Sequence, residues 1–119
     1  MELLVVFCTF PDVENAREIG TALVESQLAA CVNLLPGVES IYSWKGTVER
    51  GSEVLALFKT TREAWPEFET RLKELHPYEV PEIVAIKPEL VSAAYARWVD
   101  EAVVEQEREF AKARREAPL

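Results

Sequence analysis

The chain carries few residues able to do chemistry. His76 is the single histidine, and Cys8 and Cys31 are the two thiols. One histidine leaves little room for a hydrolytic triad. His-Glu-x-x-His, Gly-x-Ser-x-Gly and a glycine-rich phosphate loop are all absent from the sequence. The two cysteines are too far apart for the Cys-x-x-Cys of a metallochaperone. Glu79 and Glu82 flank Pro81 as a candidate carboxylate pair, but nothing else marks an acid–base site beside them. A binding protein rather than an enzyme is therefore expected. On their own residues, Cys8 reads as a small buried hydrophobe. His76, directly before Pro77, reads as a helix C-terminal residue interacting with free carbonyls.

Composition narrows the classes further. A chain of 119 residues suits one domain, taken as 1–119. Hydrophobic residues at 49% are ample for a packed core. A formal net charge of -8 and the lack of an RNP1 pattern argue against a nucleic-acid partner. An acidic surface attracts metal cations only weakly. No apolar run reaches the ~18 residues of a membrane span, so no membrane partner is expected. Met1-Glu2-Leu3 opens without a basic segment or a cleavage site, which makes the cytoplasm the default location.

The elements that must position these residues follow from periodicity and punctuation. Leu3 to Phe10 is apolar on both parities and predicts a central strand covered on both faces. Pro11 ends it, and Asp12 caps a helix to about Leu28 with Ala16, Ile19 and Leu23 on its buried stripe. Ala30 to Thr61 predicts two long strands meeting at a tight turn on Gly46. Pro36-Gly37 predicts a bend or bulge in the first arm and Gly51-Ser52 one in the second. Thr60 and Glu63 have capping-box spacing. The helix they introduce buries Trp65, Phe68, Leu72 and Leu75 and starts nearer Trp65 because of Pro66; Pro77 stops it at His76. Ile83 to Ile86 is a short strand. From Ser92 a third helix carries Tyr95, Val99, Ala102, Gln106 and Phe110 on one stripe, and about 107–119 forms an exposed helical tail.

That order predicts an α+β, ferredoxin-like βαββαβ sandwich with an extra C-terminal helix. Both main helices pack on one face of the sheet. The other face is apolar, and at ~25 cal/mol per Å2 covering several hundred Å2 of it is worth many kcal/mol. Such a patch rarely stays exposed in a monomer, so self-association is predicted.

Val6-Phe7-Cys8-Thr9 with Pro11-Asp12, Leu28 to Asn33, Tyr42-Ser43-Trp44-Lys45-Gly46, Glu53 with Lys59-Thr60, and His76 to Ile83 resemble, in order, the divalent-cation-tolerance (CutA) family. Tyr95 to Trp98 is similar to its last helix. The resemblance implies a PII-like homotrimer in the cytoplasm, linked to tolerance of copper and other divalent metals, with either a metal-binding or a signalling role. A scaffold or small-ligand binder with no physiological metal is the alternative.

The resemblance also marks Cys8 and His76 as metal-associated positions for Cu2+ or another divalent cation. Thiolate and imidazole suit copper or zinc. Leu75 stands where the family's bacterial pattern has a second histidine. The topology puts Cys8 and His76 at one end of the sheet, with Glu79 and Glu82 as possible additional ligands. Tyr42, Trp44, Tyr78 and Trp98 are candidates to line an intersubunit cleft, with Glu53 and Lys59 as a charged pair within it. Cys31 lies two strands from Cys8 and at the opposite end of the sheet. Two strand spacings, roughly 9–10 Å, exceed the ~7 Å a disulfide spans, so two free thiols are expected.

Overall fold

The structure, a computed structural model, describes residues 2–103. Its elements are β1 (Leu3–Phe10), α1 (Val13–Glu25), β2 (Cys31–Trp44), β3 (Thr47–Thr61), α2 (Trp65–Leu75) and β4 (Ile83–Ile86). Residues 93–103 are helical and are called α3 here. The strands form one sheet in the order β2-β3-β1-β4, with every pair antiparallel. This is the expected ferredoxin-like sandwich with a long β2–β3 hairpin and a C-terminal helix. Gln106, Phe110 and the tail at about 107–119 lie outside the described residues.

Local chemistry accounts for most of the boundaries. The Asp12 carboxylate accepts the backbone N–H of Asn15 at 2.8 Å and starts α1. The helix stops at Glu25, earlier than the expected Leu28. There Gln27 turns into the left-handed region at φ 61°, and the N–H of Leu28 reaches back to the carbonyl of Leu23 at 3.0 Å. The hairpin closes through Lys45 and Gly46, both at positive φ, the two-residue turn whose twist matches the strands. Between Leu35 and Val38 the register slips, with Gly37 at φ 77°, so the Pro36-Gly37 bulge is present. No such slip occurs at Gly51-Ser52. Gly51 pairs with Ser40 and Ser52 with Glu39 in unbroken register, since a glycine at negative φ continues a strand without a bulge.

The capping box at Thr60 and Glu63 does not form. Thr60 is the last residue but one of β3, fully buried, and its hydroxyl donates to the Leu28 carbonyl at 2.6 Å. Its neighbour Thr61 accepts the N–H of Ala64 at 3.3 Å instead. As anticipated, α2 begins at Trp65, where Pro66 sits in the first turn and its missing donor costs nothing. Before Pro77 the backbone of His76 is extended at ψ 134°, which ends the helix.

The register sorts the sheet into two faces. Val6, Cys8, Phe10, Val54, Ala56 and Phe58 pack under Ala16, Ile19 and Leu23 of α1 and Phe68 and Leu72 of α2. On the opposite face α3 covers one end, where Val99 and Val103 meet Leu3, Ala30 and Ala64. That second cover explains why β1 is apolar on both parities. The opposite face is therefore only partly bare, a refinement of the sequence expectation. Its uncovered remainder holds Leu35 (42% exposed), Val84 (49%) and Ile86 (48%), with Phe7, Leu55 and Leu57 half-buried between them.

The hairpin carries β2 and β3 past the region the helices cover. Ile41 (63% exposed) and Val48 (70%) lie near its tip. The radius of gyration is 16.1 Å, against the ~13 Å of a compact domain of this size.

Candidate functional site

At the Phe10 end of β1, three segments converge. The α2 terminus brings His76, the connector brings Tyr78, and the hairpin brings Glu53. The His76 ring stacks on Phe10 with centroids 4.8 Å apart and an interplanar angle of 19°. Its Nε2–H donates to the Thr9 carbonyl at 2.8 Å, and its Nδ1 accepts the N–H of Tyr78 at 3.1 Å. Both ring nitrogens are thus committed in the neutral tautomer. Burial favours that neutral form and lowers the imidazole's pKa, partly offset by the Thr9 carbonyl and the charge of Glu53.

Cys8 lies on the helix-covered face with no accessible surface. Burial pushes its thiol up to about 12, and the carboxylates of Glu82 and Glu53 add to the effect. A soft metal needs the thiolate, and this environment keeps the proton on sulfur. Among the described residues no three His, Cys, Asp or Glu side chains come together as a metal-binding group. Leu75, directly before His76, packs against the main core. Cys8 and His76 are both engaged in the fold of the single chain.

A pocket of about 580 Å3 opens beside them, lined by Thr9, Tyr42, Trp44, Glu53 and Tyr78, with Glu79 and Glu82 along the connector side. Tyr78 Oη donates to Glu53 Oε2 at 2.6 Å. Burial raises the Tyr78 pKa, and the carboxylate that accepts its proton raises it further, so the phenol stays a donor and holds Glu53 in place. Four of the six expected cleft residues meet here. Trp98 lies away from this pocket on α3, beside Tyr95 with ring centroids 5.8 Å apart. Lys59 is on the same strand as Glu53 but about 20 Å along it, and its ammonium bonds to Asn33 Oδ1. The two do not pair within one chain.

The matching family model is described as CutA1 divalent ion tolerance protein and covers residues 4–102. The chain belongs to the CutA family. The divalent-cation tolerance protein CutA of Thermus thermophilus is 50% identical over 97 residues, which is 82% of this chain and 94% of that protein. Human protein CutA is 45% identical over 93 residues, 78% of this chain and 52% of the human sequence, so the chain spans about half of that relative. A solved CutA from Xylella fastidiosa superposes with a TM-score of 0.83 at 36% identity, covering 87% of this chain and 99% of the other. A solved relative from Archaeoglobus fulgidus, TM-score 0.82 at 35% identity, covers 85% of this chain and 98% of its own and is named a periplasmic divalent cation tolerance protein CutA. Among the described residues no helix is long and apolar enough to cross a membrane.

For this CutA chain, sequence reasoning read His76 as a helix-end residue bonded to carbonyls, but missed that the carbonyl is that of Thr9 on β1, and missed the Tyr78–Glu53 bond. No local signal carries these two bonds, since each joins residues far apart in the chain. Cys31 pairs with Lys59, level with Val5 rather than with Cys8, and its Sγ lies 3.3 Å from Tyr95 Oη. Burial first, and then that thiol, push the Tyr95 phenol up to about 12. Both thiols are free. A disulfide reagent under native conditions is expected to titrate no more than one thiol, Cys31, and two in strong denaturant. Cys8→Ala leaves the native count unchanged; a fall to zero would show that Cys8 is the reactive one.

Proposed function

We propose that this CutA chain contributes to divalent-cation tolerance as a non-catalytic, homotrimeric cytoplasmic protein that works by binding at the hairpin–connector pocket. The observation that carries the reading is the pocket itself. It gathers rings and carboxylates from β2, β3 and the connector into about 580 Å3, within the usual range for small-ligand sites. Homotrimer formation is supported by the uncovered apolar remainder of the sheet and by a hairpin that outreaches its own core.

A divalent cation is the species the family name points to, and copper is the one proposed for this chain. Glu79 and Glu82 are the exposed donors at the pocket; Cys8 and His76 stay engaged in the fold. A binding role with no resident metal is the reading the committed imidazole and protonated thiol favour. Isothermal titration with copper chloride is the test. Cys8→Ala and wild type are expected to give the same isotherm, while Glu79→Gln with Glu82→Gln weakens whatever uptake wild type shows. Loss of uptake in Cys8→Ala alone would return the metal to the thiol and require β1 to open at its end.

A further inference from the structure

We infer that the hairpin–connector pocket is shaped for an organic cation, an amine or quaternary ammonium bearing apolar carbon. This rests on the reading of that pocket as the working site, and it names the ligand class. Every charged side chain lining the pocket is a carboxylate: Glu53, Glu79 and Glu82. Among the described residues no lysine or arginine lines it, so no lining side chain supplies the cation that a phosphate or nucleotide would pair with.

Apart from the hydroxyls of Thr9 and Ser40, the remaining walls are aromatic and aliphatic, with Tyr42, Trp44 and Tyr78 as the rings. Ring faces carry negative potential and attract ammonium groups, most strongly for tryptophan. Trp44 already shows that behaviour. The ammonium of its neighbour Lys45 rests 5.5 Å from its ring centroid. Glu53 supplies an anchoring charge, because Tyr78 bonds one oxygen, Oε2. The other oxygen keeps its capacity to accept from an N–H or to face a methylated nitrogen. A volume of about 580 Å3 is far larger than a bare metal ion needs, while carbon attached to a cationic nitrogen would fill it against the rings. The chain's net charge of -8 draws cations toward such a site from a distance.

The test is an NMR titration of the native assembly, following the indole N–H of Trp44, assigned through Trp44→Phe. The probes are n-butylammonium and tetramethylammonium, with n-butanol as the uncharged counterpart, ATP as the anionic one and zinc chloride as the metal. Both ammonium probes are expected to shift the Trp44 signal saturably. Glu53→Gln is expected to raise the ammonium concentration at half-saturation at least fivefold, whereas Lys59→Gln, outside the pocket, leaves it unchanged.

Equal shifts from n-butanol would overturn the proposal, since the cavity would then be merely apolar. A saturable shift from ATP would overturn it by showing an anion site. Saturation by zinc with no response to either ammonium would remove the organic cation and leave the pocket as a metal-responsive site. Silence from every probe would remove both readings together.

Discussion

Replacing His76 with alanine is expected to cost about 3–5 kcal/mol and to lower the melting temperature by roughly 10 °C or more. The side chain is buried, and three contacts go with it. The stack on Phe10 is lost, the Tyr78 N–H loses its acceptor, and the Thr9 carbonyl keeps only the weak, long contact from the Cys8 thiol. Each buried polar group left unpaired costs about 1–3 kcal/mol, and the vacated ring volume adds a cavity term. The connector that shapes the pocket follows His76 directly, so Glu53 is also expected to lose its fixed bond to Tyr78.

The pH dependence separates His76 from the rest. Burial lowers its pKa in the folded chain, while the unfolded imidazole titrates near 6.5. Below that value the unfolded state binds the extra proton. Stability from this residue is therefore full above about pH 6.5 and is lost as pH falls toward the folded pKa. The acidic groups act lower. Glu2 is held at about 2 by its hydrogen bonds from Lys87 and then Arg62, and Asp12 is lowered by the N–H of Asn15. Their share of stability is lost only below about pH 4.5. Urea midpoints measured from pH 8 to pH 5 are expected to fall in wild type. They should stay flatter in His76→Phe, which keeps a ring against Phe10 but cannot titrate. An equal fall in both would assign the loss to another group.

Leu57→Glu is expected to convert the proposed homotrimer to monomers at micromolar concentration. Leu57 lies in the middle of the partly bare face, paired with Phe7 on one side and Asn33 on the other, and Val84 continues the same row beyond Phe7. A carboxylate in the centre of a dry interface goes unpaired and costs several kcal/mol per subunit. In the lone chain the same position is only half-buried, so the subunit itself is expected to stay folded. Sedimentation velocity with circular dichroism reads both quantities at once. Glu69→Gln, on α2 away from this face, serves as the control. A Leu57→Glu protein that still sediments with wild type would mean the trimer is built on another surface.

Much of the architecture was legible because its signals are local. Pro11, Gly46 and Pro77 act on the residues beside them, through fixed φ, a missing N–H or access to positive φ. Elements that depend on them came out within a few residues. The main shortfall was at the end of α1, where Gln27 rather than a glycine takes the left-handed turn. Family membership was legible too, from motifs spread in order along the chain.

What sequence alone determined, then, is the list and order of elements, the hairpin turn, the bulge at Pro36-Gly37 and the short inventory of reactive groups. Only the tertiary structure decided what those groups do. It laid α3 over Leu3 and Val5, buried Thr60 against Leu28, locked both nitrogens of His76 and joined Tyr78 to Glu53. Periodicity and capping act within a turn or a strand pair, whereas these contacts, apart from the Tyr78 N–H on His76 Nδ1, join residues on separate elements. Their energy depends on burial that exists only once the sheet has closed, so no short window of the chain carries it.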